Sequence, residues 1–168
     1  MPGTYTEQVI VPAYVHLRGS GCGVTEITSA VNGNSNSQDA ATLVLPANSQ
    51  LSDIKVTNTS TENDGVAVRV SGGNDETRLC KVCMKTVGET GGRHIGLYLN
   101  GGNPMIEHVT AEASGGTIGN WAAFNSASDA TYDSATLIGS GGSSSAGIRF
   151  NGGDAIIRNS ELRAENSA

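Results

Sequence analysis

Aromatic side chains are scarce in this sequence: one Trp, four Tyr and two Phe make up 4% of its 168 residues. Charged residues reach only 15%, and proline occurs four times. No apolar run approaches the ~18 residues of a membrane-spanning helix, so no membrane span is predicted. Nor does any stretch sustain apolar residues at i, i+3, i+4 and i+7, which excludes long amphipathic helices. Ten basic residues stand against sixteen acidic ones, a net charge of −6. That balance argues against a nucleic-acid partner, whose footprint needs clustered Lys and Arg. The opening Met1-Pro2-Gly3-Thr4-Tyr5 has neither the charged nor the apolar region of a signal peptide. Cys22, Cys80 and Cys83 are too few for a disulfide scaffold. Their odd number leaves at least one thiol free or paired between chains.

Glycine, by contrast, is abundant at 23 residues, roughly twice the usual share of about 7%. The glycines follow no Gly-X-Y period, so a collagen helix is excluded. The hydrophobic 37% falls in short β-branched bursts between Asn, Ser and Gly clusters, the pattern of strands and turns rather than of a disordered chain.

Those bursts repeat. One family of six-residue segments starts at Leu51, Leu79, Ile106, Tyr132 and Ile157, with spacings of 28, 27, 26 and 25 residues. Positions one, four and six of each are apolar or small. A second family interleaves with it: Val66–Ser71, Ile95–Asn100, Asn120–Asn125 and Ala146–Asn151, with Thr42–Leu45 as an earlier rung. Here Val68, Leu97, Ala122 and Ile148 are predicted to form one inward column, and Val70, Leu99, Phe124 and Phe150 another. Asn100, Asn125 and Asn151 follow, as a stacked asparagine ladder or as ordinary turn residues. Gly-Gly pairs at 101–102, 115–116, 141–142 and 152–153 mark turns, where positive φ is cheap for glycine. Period-2 segments repeating every 25–28 residues, with no helix between them, predict a parallel β-solenoid of about six coils. The expected organisation is one domain over 1–168, with an opening coil and polar loop over 1–40 and regular repeats over 41–168. Small residues then follow from a narrow interior with tight corners.

The segment Gly3-Thr4-Tyr5-Thr6-Glu7, its apolar strand, Gly19-Ser20-Gly21 and Thr25-Glu26-Ile27 resemble the opening coil of the pectin-lyase-like superfamily, pectin methylesterases in particular. Asn103-Pro104-Met105-Ile106 and Ala113-Ser114-Gly115-Gly116 look like the degenerate repeats of bacterial β-helix proteins without an assigned activity. The resemblance implies a right-handed parallel β-helix in a secreted or cell-surface setting. It does not carry methylesterase catalysis: no Asp-Phe-x-Phe-Gly-like segment occurs, and Trp121 has no arginine near it in sequence.

Parallel stacking makes neighbours of equivalent positions. One outward column is predicted as Ser52, Cys80, Glu107, Asp133 and Arg158, and the next as Asp53, Lys81, His108, Ser134 and Asn159. Glu107 beside Asp133, with His108 close, is the candidate catalytic set, since paired carboxylates can serve as acid and base in glycoside cleavage or as oxygen ligands for calcium. A solvated mixed-charge face, with Asp133 drawn to Arg158, is the plainer alternative. Cys80 and Cys83 form a lone C-x-x-C to which His108 adds only a third donor, so no metal site and no cofactor are expected. His16 and His94 are expected at the rim or surface. Tyr98, expected to face outward, Arg69 and Arg149 are the candidate binding residues. The leading expectation is a non-catalytic structural or recognition module, with polysaccharide as a candidate ligand and self-association through open ends as a candidate contact. A partial or degenerate carbohydrate-active enzyme is the alternative.

Overall fold

The computed structural model describes residues 2–32, 40–62, 64–88 and 92–165. Among them there is no helix, and every strand pair is parallel. The first coil runs through β1 (Gly3–Thr6), β2 (Val9–Ile10) and β3 (His16–Arg18). The second uses β4 (Thr25–Ser29), β5 (Leu43–Pro46) and the start of β6 (Gln50–Asn58). The third takes the rest of β6, β7 (Gly65–Gly73) and the start of β8 (Arg78–Val87). The fourth takes the rest of β8, β9 (Arg93–Gly102) and β10 (Met105–Glu107). The fifth is β11 (Thr110–Ser114), β12 (Gly119–Ser128) and β13 (Thr131–Asp133). The sixth is β14 (Thr136–Ser140), β15 (Ser145–Asn151) and β16 (Ile156–Arg158), after which β17 (Glu161–Glu165) lies on β14. The result is the predicted β-solenoid of about six turns.

Each coil contributes to three walls. Two of them belong to one sheet that bends sharply, and the bend falls on Asp53, Lys81, His108, Ser134 and Asn159. These five non-glycine residues all have φ between 51° and 56°. A single left-handed residue turns the strand without breaking the ladder on either side. The third wall is the six-stranded sheet β2-β5-β7-β9-β12-β15. Between the walls, Leu51, Leu79, Ile106, Tyr132 and Ile157 stack in one inward column, as the first segment family predicts. Val56, Met84, Ala111, Leu137 and Leu162 stack in another. Burying each such large aliphatic side chain contributes about 1.5–3 kcal/mol.

In the second segment family Val68, Leu97 and Ile148, and Val70, Leu99 and Phe150, fall in the expected columns, while the β12 member is shifted by one residue. Leu97 pairs with Ala123, not Ala122, and Leu99 pairs with Asn125, so Asn125 is the inward residue and Phe124 points out. The cause lies within each rung of the third wall, where two consecutive residues face the core: Ala67 with Val68, and Ala122 with Ala123. Strict alternation fails there because a small residue lets the wall approach its neighbour. A Cβ at Gly96, the equivalent of Ala67, would lie 2.7 Å from the Ala122 carbonyl and 3.1 Å from Ala111 Cβ. The same shift removes the asparagine ladder: Asn100 and Asn151 both pair with Ser126.

His94 is a second correction. It is 1% exposed, not a surface residue. Its Nδ1 donates to the Ser114 carbonyl at 2.5 Å, and its ring packs against Gly65 and Gly88. Asn120, its register partner on β12, clamps the chain in a related way by bonding both Gly116 N and Gly116 O. His16 is exposed, as expected. Of the polar loop over 29–40, residues 33–39 lie outside the described residues. At the last coil, Phe150 and Leu162 occupy inward columns yet are 46% and 42% exposed, since no described residue stacks on them from beyond the sixth coil.

Candidate functional site

The outer face of the third wall gathers what the composition makes rare. Register places Val44, Arg69, Tyr98, Phe124 and Arg149 in one outward column. Val66, Ile95, Trp121 and Ala146 form the column beside it. The two columns are adjacent because the paired inward residues separate them on every rung. Three of the seven aromatic residues are thus side by side. The Phe124 ring lies 5.2 Å from Tyr98 and 5.3 Å from Trp121, tilted to both.

Two guanidinium groups cover these rings. Arg69 Cζ is 4.4 Å from the centroid of Tyr98, and Arg149 Cζ is 4.1 Å from that of Trp121 and 5.9 Å from that of Phe124. Such contacts contribute about 0.5–1 kcal/mol at exposed positions and about 2 when desolvated. Arg69 belongs to the desolvated kind, being 2% exposed, whereas Arg149 is open to solvent. Between Arg93, Tyr98, Trp121, Phe124 and Arg149 lies a groove of about 240 Å³. At its Arg93 end the Asp64 carboxylate accepts a bond from Arg93 N at 2.8 Å. At the other end, Asn151 Nδ2 donates to Ser126 Oγ at 3.5 Å.

The candidate binding residues Tyr98, Arg69 and Arg149 therefore converge on one column. Trp121 and Phe124 complete it, and alternation alone conceals them by placing Phe124 inward. The Ala122-Ala123 pair between them, aligned with Gly96-Leu97 and Gly147-Ile148, is the sequence signal of their outward placement. Trp121 has its arginine after all, 28 residues later in the chain.

The candidate catalytic residues lie on a different wall. Ser52, Cys80, Glu107, Asp133 and Arg158 stack in the order expected, with Glu107 and Asp133 as register neighbours. Asp133 is held on several sides. It accepts bonds from Asn159 Nδ2 at 3.0 Å and Ser134 Oγ at 3.1 Å, and pairs with Arg158 at 3.1 Å. The Asn159 bond above all keeps its carboxyl below the usual carboxylate range. Asp133 is thus an ionised acceptor, not a proton donor. His108 occupies the left-handed bend beside it. Among the described residues, no three His, Cys, Asp or Glu side chains converge as a metal site. Cys80 and Cys83 flank the bend at Lys81: Cys83 is bonded to Cys22, and Cys80 is a free, half-buried thiol.

The chain matches no family model, no curated protein and no solved structure.

Proposed function

We propose that the chain is a rigid, non-catalytic recognition solenoid that holds a polysaccharide on the outer face of its third wall. The observation carrying this reading is the convergence of Tyr98, Trp121 and Phe124 with Arg69 and Arg149 in an otherwise aromatic-poor chain. Phe124 and Arg149 are the accessible part of this cluster, backed by the buried Tyr98, Trp121 and Arg69, and groups held on a stiff sheet lose little entropy on docking. The Cys22–Cys83 disulfide supports a secreted or cell-surface setting, where such bonds persist. The pectin-lyase-like resemblance of the opening coil supports the same setting. A glycan array read beside a turnover screen on pectin-like polymers tests the proposal. Binding without turnover, weakened by Arg149→Ala, is expected; turnover, or no binding to any glycan, overturns it.

The register contact between Glu107 and Asp133 favours the alternative, a partial carbohydrate-active enzyme. With Asp133 ionised, Glu107 would have to donate the proton, so Glu107→Gln would abolish any cleavage detected. The uncovered Phe150 and Leu162 favour a further contact, self-association through the solenoid ends. Concentration-dependent mass in light scattering would support it, and a clean monomer over a wide concentration range would exclude it.

A further inference from the structure

Resting on the reading of the third wall as a glycan face, we propose that the glycan is acidic and that Arg149 is the residue that selects its carboxylate or sulfate groups. In a chain of net charge −6, cations without a carboxylate partner are conspicuous. Arg18, Lys55, Lys85, Arg158 and Arg163 are all ion-paired. Arg78, Lys81, Arg93 and Arg149 form no ion pair among the described residues, and of these Arg93 and Arg149 line the aromatic groove.

Geometry gives Arg149 the larger share. Its guanidinium carbon lies 4.1 Å from the Trp121 centroid and 5.9 Å from that of Phe124, so the rings hold the group at the groove. A guanidinium carries its N–H donors in a planar fork, which suits a planar or tetrahedral oxyanion that takes two parallel bonds. Arg93 is the weaker anchor, because Asp64 sits against its backbone and offsets its charge. Asn151 and Ser126 border the groove with amide and hydroxyl groups, which fit sugar hydroxyls better than a bare ion. At about 240 Å³ the groove has room for roughly one ring of a longer chain.

The test uses the intact chain in affinity electrophoresis against galactan, polygalacturonate and sulfated galactan at low and moderate salt. The acidic polymers are expected to bind at least tenfold more tightly than galactan. That preference is expected to be lost in Arg149→Ala and only partly restored by Arg149→Lys, which keeps the charge but not the fork. The carboxylated and sulfated arms tell which oxyanion is preferred. Arg78→Ala serves as the control, since Arg78 is an exposed arginine on another wall that also forms no ion pair among the described residues. Equal binding of neutral and acidic polymers would overturn the acidic selectivity while leaving the glycan reading standing; no binding to any polymer would overturn both. If Arg78→Ala weakens binding as much as Arg149→Ala, or if Arg149→Ala has no effect while its melting curve is unchanged, the assignment to Arg149 is wrong.

Discussion

Cys22 is bonded to Cys83 across an intervening strand. Cys22 lies in the turn between β3 and β4, while Cys83 lies on β8, and β6 runs between β4 and β8. The bond therefore fastens the turn that follows the first coil to the fourth coil, past the third. Closing a 61-residue separation removes up to about 4 kcal/mol of chain entropy from the unfolded state, in the loop-entropy account.

Reduction is accordingly expected to lower the urea midpoint, and Cys22→Ala to lower it by a similar amount. Thiol titration of the unfolded, unreduced chain is expected to show one reactive group, from Cys80, and three after reduction. Three reactive thiols before reduction would refute the bond.

Tyr132 carries a different cost. It is wholly buried in an inward column otherwise filled by Leu and Ile, and its hydroxyl has no hydrogen-bond partner among the described residues. Burial alone pushes its phenol well above the usual range. Tyr132→Phe keeps the ring and removes the orphaned group, so a gain of about 1 kcal/mol is expected, seen as a higher urea midpoint with unchanged m-value. A loss of stability would mean that the hydroxyl is satisfied in solution.

Glu26 sets a pH dependence. The Thr57 hydroxyl donates to its carboxylate at 2.5 Å and Lys55 pairs with it at 3.1 Å. The Thr57 bond is the main cause holding its carboxyl below the usual range, against partial burial that works the other way. A carboxyl lowered on folding contributes stability above its unfolded value of about 4.3, and loses it as pH falls through the lower folded value. Glu26→Gln is therefore expected to be less stable than the natural chain at pH 7, with the difference vanishing in acid. Denaturation midpoints from pH 7 to pH 2 check this; a constant difference would assign the effect to packing.

The architecture was legible because a solenoid repeats its constraints. Leu51, Leu79, Ile106, Tyr132 and Ile157 fall in register because each must fill the same place in successive coils. The outward column through Glu107 and Asp133 follows from the same spacing. The third wall was less legible, since alternation assumes a straight strand. At Ala122-Ala123 two neighbours face inward, which displaced Phe124 and Asn125 by one position, whereas Tyr98 on the neighbouring rung faces outward as expected. Contacts between coils were invisible for another reason. Nothing local in Trp121 or Arg149 marks them as partners, and Cys22 reaches past its nearest neighbour. Burial of His94 likewise depends on Gly65 and Gly88, which leave room for its ring.

The left-handed bend makes the last prediction. Its five positions need the same φ, yet they hold Asp53, Lys81, His108, Ser134 and Asn159. Asn and Asp tolerate this region because a short polar side chain can bond locally, and Lys has no such compensation. On the other side of the solenoid, Ala127 at φ 50° occupies a column whose other members are Gly72, Gly101 and Gly152. A left-handed conformation costs about 1–2 kcal/mol for an ordinary residue and little for glycine. Lys81→Asn and Ala127→Gly are thus each expected to stabilise the chain by about 1 kcal/mol, and to add when combined, since the two sites lie on different walls. Ala127→Gly sets the sharper condition: elsewhere in a strand, glycine in place of alanine destabilises by about 0.5–1 kcal/mol. A fall in the thermal midpoint of that variant would show that residue 127 is not left-handed in solution.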